Sequence, residues 1–278
     1  MEIKKHLVFF AAALLICCNI PPSAECLQTS WFPEINALAV EATSLYSAPD
    51  ENSSILASVP EGAGADIISD TVKGIDSYWL VRLQQDGRLG YIPKEDLERQ
   101  PYLKYETIPA SSIQAPSVFI LSGNLHINSY EELLKSYLLI PEKIRSQFEA
   151  DGFHIIMREQ DITQEAYADY GGYTGIGQIQ GVSDYEKKVI YLQDEYPRQI
   201  IHEMGHYINN KWGVSSRDGF RELAEKESSR ISVYASSNER EFFCEAFELY
   251  IRDPIALATV SPETYNEIVS YLVSLINN

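Results

Sequence analysis

The ten residues from Ile200 to Asn209, IIHEMGHYIN, constrain the fold of this chain more than any other stretch. They contain His202-Glu203-Met204-Gly205-His206, two histidines four positions apart with a glutamate directly after the first. On an α-helix of about 3.6 residues per turn, that spacing puts both imidazoles on one face, one turn apart. Two ring nitrogens so placed can bind one Zn2+ ion at about 2.0–2.1 Å. Glu203 then sits within reach of a water beside the ion and can take its proton, the arrangement of a metal-dependent hydrolase. The five-residue pattern also turns up by chance on helices that merely display two histidines. Its surroundings favour the metal. Ile200, Ile201, Met204 and Ile208 give the helix an apolar face, and Pro197 suits a first helical turn, where its missing N–H costs nothing.

A zinc ion needs a third protein ligand and a fourth position for water or substrate. Downstream, Asn238 has the character of a helix N-cap, with Glu241 three positions on as in a capping box. Phe242, Phe243, Ala246, Phe247 and Leu249 supply an apolar face. Glu241 and Glu245 lie one turn apart on one side of this helix. Carboxylates beside an apolar stripe are costly unless paired. We therefore assign Glu241 as the third ligand and Glu245 as the acceptor for the free N–H of a ligand histidine, fixing its tautomer. The plainer alternative is a solvated acidic edge, with Glu241 only capping its helix.

Tyr234, Asn238-Glu239, Glu241-Phe242-Phe243 and Glu245-Ala246-Phe247, downstream of the two-histidine motif, resemble the catalytic domain of anthrax lethal factor and the related bacterial Pro-Pro endopeptidases. The match covers roughly Ser112 to the C-terminus, and the stretch between its two motif blocks is not diagnostic. The resemblance implies a zincin-like fold and hydrolysis of peptide bonds in a protein or peptide substrate. It makes Glu241 the third zinc ligand. It makes Tyr234, seven residues earlier, a group that points at the active site and assists the transition state.

The chain has 278 residues, 45% hydrophobic and 22% charged, enough for one large or two smaller domains. Its net charge of −18 argues against nucleic acid and anionic membrane surfaces as partners. Met1 to Ala24 has the build of a signal peptide. Lys4 and Lys5 precede an apolar run, Leu7–Cys18, too short to span a membrane as a stable helix. Lipoprotein processing at Cys17 or Cys18 fits the flanking residues badly. Retention as an uncleaved anchor is the alternative. The expectation is a bacterial protein, secreted or associated with the cell envelope, with no transmembrane anchor in its mature form. Cys26 and Cys244 alone remain after the signal, too few for a disulfide scaffold. Cys244 is expected to pack as a small apolar residue.

Residues 33–100 carry short β-rich runs at 55–59, 65–69, 78–83 and 89–92, with Asp86-Gly87 as a hairpin signal. Leu45-Tyr46-Ser47-Ala48-Pro49, Val59-Pro60-Glu61-Gly62, Tyr78-Trp79-Leu80-Val81 and Gly87-Arg88-Leu89-Gly90-Tyr91-Ile92 resemble a bacterial SH3-like β-barrel. Such modules commonly bind peptidoglycan, which the resemblance implies as a partner. Trp79 is expected in the barrel core. Residues 101–116, with Pro101, Pro109 and Pro116, have the composition of a semi-extended linker, which makes the N-terminal module self-contained.

From 117 to 278 the pattern is α+β and mostly helical, with a small sheet. Strands are expected at 118–121, 153–157 and 189–193. Ser129 to Glu132 forms a capping-box helix start, and further helices run from Pro141, over 220–231, and from Pro262 to Leu275. Gly171–Gly181 lacks a phosphate-loop pattern. It is either a substrate-pairing edge strand or a mobile surface loop. The combined expectation is an exported metalloendopeptidase with one Zn2+ held by His202, His206 and Glu241. Glu203 is its general base and Tyr234 its transition-state donor. The alternatives are a non-catalytic wall-binding protein on a degenerate protease fold and a toxin component acting on a host protein.

Overall fold

The computed structural model describes residues 37–73, 76–100, 106–159, 162 and 179–277. The signal segment 1–24, Cys26, residues 101–105 and the glycine-rich stretch 171–178 lie outside them.

The N-terminal part is built from β1 (Ala37–Ala39), β2 (Thr43–Tyr46), β3 (Ile55–Val59), β4 (Gly64–Lys73), β5 (Asp76–Leu83), β6 (Leu89–Pro93) and β7 (Leu97–Arg99). They pair antiparallel in the order β3-β2-β6-β5-β4-β1-β7. Asp86-Gly87 turns the β5–β6 hairpin, and Gly87 takes φ 71°, a backbone state glycine adopts without strain.

Successive residues of a strand point to opposite faces, and β5 buries both. Val81 and Leu83 join Ala37, Leu45, Val59 and Ile92 in a core belonging to the sheet itself. Trp79 packs against that core from its margin, with the Lys94 and Arg99 cations over its ring at 4.2 and 4.5 Å. Tyr78 and Leu80, with Ile68 and Tyr91, enter the main core of the C-terminal part. Arg82 continues that face and forms a buried ion pair with Asp253. The N-terminal unit is thus not the self-contained module its sequence suggests. Its sheet is one layer of a shared core.

The C-terminal part contains β8 (Thr107–Pro109), β9 (Phe119–Ser122), β10 (Asn124–His126), α1 (Ser129–Leu139), α2 (Glu142–Ala150), β11 (His154–Arg158), β12 (Gly181–Asp184) and β13 (Val189–Gln193). Then follow α3 (Ile200–Trp212), α4 (Asp218–Ile231), α5 (Glu239–Arg252), α6 (Pro254–Val260) and α7 (Pro262–Asn277). A four-stranded mixed sheet runs β12-β13-β11-β9, with β12 antiparallel to β13 and the other pairs parallel. The architecture is α+β.

Two expectations need correction. Residues 107–116 are not a free linker: β8 pairs with β10, Ala110 is buried, and Ile113 and Ala115 pack on the main core. Ser129 does not cap its helix, because Asn128 holds the N-cap position. The Ser129 hydroxyl instead meets Met157 Sδ at 3.3 Å, and Glu132 is drawn to Arg198 at 2.8 Å.

Helix α3 starts from a 3-10 turn opened by Pro197 and ends at Gly213, whose left-handed φ of 62° closes the last turn. Ile200, Ile201, Met204 and Ile208 bury its apolar face as expected. Asn238 caps α5, its side chain accepting from the N–H groups of Arg240 and Glu241, both at 3.0 Å. Gly205 lies where α3 crosses α5. A Cβ there would stand 3.0 Å from the Cys244 Cα, so the missing side chain lets the two backbones pack this closely. No helix among the described residues is long and apolar enough to cross a membrane.

Candidate metal centre

The α3–α5 crossing brings together His202, His206 and Glu241. His202 Nε2 lies 3.2 Å and His206 Nε2 3.3 Å from the same Glu241 oxygen, Oε2. Donors bound at about 2.0–2.1 Å to one tetrahedral ion stand about 3.3–3.4 Å apart. Both separations from Glu241 Oε2 are thus those of donors sharing one zinc ion. Cys244 also lies close enough to both imidazoles to join such a group. Its Sγ, however, approaches His206 at Nδ1, the ring nitrogen away from Glu241, at 3.2 Å. Glu241 is the better third donor, because both Nε2 atoms face it.

Behind His202, Nδ1 lies 2.8 Å from Glu245 Oε1 and 3.8 Å from Glu248 Oε2. The first distance is that of a hydrogen bond, but Nδ1 lacks an in-line acceptor. The contact is an ion-pair approach. Ser232 Oγ donates to Glu245 Oε2 at 2.6 Å, and Arg252 donates to Glu248 at 3.0 Å. So Glu245 lies behind His202 without the in-line hydrogen bond expected of it, and Glu248, which the sequence did not single out, stands beside it.

Burial works against charge on His202, which is 2% exposed, but Glu241 and Glu245 outweigh it and hold its pKa well above the usual histidine value. Burial also opposes ionisation of Glu241, and the two imidazoles overcome it, so the carboxyl is held well below its usual range. Burial pushes the Cys244 thiol far up, helped by Glu241, Glu203 and Glu245.

Glu203 is buried and lies against β12. Ser183 Oγ donates to its Oε2 at 2.6 Å. Gly181 leaves room for it, since a Cβ there would meet Glu203 Oε1 at 2.8 Å. Tyr234 begins the 3-10 turn Tyr234–Ser236 before α5 and is 52% exposed. Its ring centroid lies 5.8 Å from that of His202. Burial of the hydroxyl, then Glu241, Glu203 and Glu245, raise its phenol pKa, so it stays protonated as a donor. Ser232 anchors that turn too, accepting from Ala235 N–H at 2.9 Å.

All six expected residues thus gather in one place, with Ser183, Ser232, Cys244 and Glu248 added by the fold. Comparison with known proteins finds no matching family model and no matching curated protein. Among solved structures, the Pro-Pro endopeptidase from Paenibacillus alvei is similar at 23% identity and a TM-score of 0.47. It covers 55% of this chain and 97% of its own.

Proposed function

We propose that this chain is an exported zinc-dependent metalloendopeptidase, with a zincin-like catalytic part preceded by an SH3-like β-barrel. The observation that carries the reading is the convergence of His202 Nε2, His206 Nε2 and Glu241 Oε2 at separations suited to one tetrahedral ion. Zinc bound there would supply a Lewis acid for the scissile carbonyl and a water acidified toward neutral pH. Glu203 is the residue that would take a proton from such a water and pass it to the leaving amine. Ser183 steadies the carboxylate during both transfers. Tyr234 donates a hydrogen bond to the oxyanion or the leaving nitrogen. Among the described residues β12 ends the four-stranded order, beside Glu203, and an extended peptide would add to that edge as a further strand. Peptidoglycan is the ligand we assign to the N-terminal sheet, to be tested by co-sedimentation with purified cell wall.

The deciding experiment uses the protein from Glu25 onward. Zinc content is measured for wild type, His202→Ala and Glu203→Gln, and a peptide library is profiled with and without a chelator. Wild type should hold one zinc and cleave, His202→Ala should lose the metal, and Glu203→Gln should keep metal without cleaving. Cleavage that survives the chelator, or full zinc in His202→Ala, would overturn the assignment.

A further inference from the structure

We infer that Cys244 is the positioning residue for His206: its sulfur accepts the Nδ1–H of that imidazole and so commits Nε2 to the metal. This rests on the metal-centre reading above. A histidine that binds metal through one nitrogen carries its proton on the other, and a fixed partner for that N–H sets the ring's tautomer and plane. His202 has Glu245 and Glu248 behind it. Among the described residues, the polar atom placed behind His206 is Cys244 Sγ, 3.2 Å from Nδ1.

The placement follows from the helix. Positions 241, 244 and 245 share one face of α5. The residue that donates to the ion and the two that hold its histidines are therefore carried by one turn and a third of one rigid element. Cys244 is fully buried, and the His206 side chain is 14% exposed. Gly205 makes the approach possible, since a Cβ on it would lie 3.3 Å from Sγ. The thiol is not reduced to filler by its burial. An alanine at 244 would keep the helix and the crossing but take away the acceptor of that N–H.

The test compares Cys244→Ala and Cys244→Ser with wild type, each measured for zinc affinity by competition with a chromophoric chelator. Serine keeps an acceptor and guards against a misfolded alanine variant. We expect alanine to weaken zinc binding about 10–100-fold, the usual loss when such a partner is removed, and serine to recover most of it. Unchanged affinity in Cys244→Ala overturns the inference. So does equal loss in both variants with an altered far-ultraviolet circular dichroism spectrum, since that marks a packing role. Cobalt-substituted wild type should show ligand-field bands without a thiolate charge-transfer band; such a band would make Cys244 a ligand and overturn the positioning role. Wild type that takes up no metal would instead sink the metal-centre reading itself.

Discussion

Arg82 and Asp253 stand 171 positions apart and meet through a forked guanidinium–carboxylate pair, with Nε at 2.9 Å and Nη2 at 2.8 and 2.6 Å. Asp253 also caps α6 by accepting from Ala256 N–H, and it follows directly on the last residue of α5. The pair thus ties the N-terminal sheet to the end of the helix that carries Glu241 and Glu245. Breaking one side of a buried ion pair leaves the other charge uncompensated, at a cost of about 3–5 kcal/mol. Arg82→Met should lower the unfolding free energy by that much. Chemical denaturation of wild type should show one cooperative transition, and a fragment starting at Gln100 should not fold. Two separate transitions, or a folded fragment, would show independent domains.

Ser183 holds Glu203 from the neighbouring strand, so Ser183→Ala should leave zinc content unchanged and lower kcat about 10–100-fold, the scale on which a small misplacement of a reacting group is felt. KM should move little. Ser183→Thr, which keeps the hydroxyl, should restore much of the rate; failure to do so with an intact fold would reduce Ser183 to packing.

Tyr234→Phe keeps the ring beside His202 and removes only the hydroxyl. If that hydroxyl meets charge formed in the transition state, kcat should fall about 10²–10³-fold, roughly 2.7–4 kcal/mol. A defect confined to KM would move Tyr234 into substrate binding.

Gly205→Val would press two methyl groups into the α3–α5 crossing, where even a Cβ stands 3.0 Å from the Cys244 backbone. Overpacking of this kind costs about 1–3 kcal/mol. Because the crossing also sets the distance from the histidines to Glu241, thermal stability and zinc affinity should fall together. Loss of stability with wild-type zinc affinity would show that the two are independent.

The metal-free protein should have a bounded window of pH stability. Glu241 has a folded pKa below its ordinary 4.5, so its contribution is present above that value and is lost as pH falls. His202 has a folded pKa above its ordinary 6.5, so its contribution is full below that value and is lost as pH rises through the folded pKa. Denaturation midpoints of chelator-treated protein should therefore peak between about pH 4.5 and 6.5 and decline on both sides. In His202→Ala the alkaline decline should flatten.

Much of the centre was legible because helices turn sequence spacing into direction. His202 and His206 four apart, Glu241 and Glu245 four apart, and the cap at Asn238 each fix a face without knowledge of the rest of the fold. Ser183 was not legible, since its bond to Glu203 depends on how β12 lies beside α3. Gly205 occupies a freely variable place in the two-histidine pattern, and only the crossing with α5 reveals why it lacks a side chain. The linker reading failed at 107–116 because Pro109 occupies both the end of a strand and the entry to a 3-10 turn, positions that tolerate it. The two-sided burial of β5 did leave a trace: Tyr-Trp-Leu-Val-Arg-Leu shows no apolar–polar alternation, the mark of a strand covered on both faces.

That strand carries a further consequence for variation in this chain. Side chains alternate between the two faces of a strand, so a one-residue slip turns every one of them over. In β5 a slip would carry the Arg82 guanidinium into the core of Leu45 and Ile92 and send Val81 to face the Asp253 carboxylate. Both exchanges bury a charge without its partner. Insertions and deletions between Tyr78 and Leu83 should therefore be rejected altogether, while the tips at 50–53 and 84–88 remain open to changes of length.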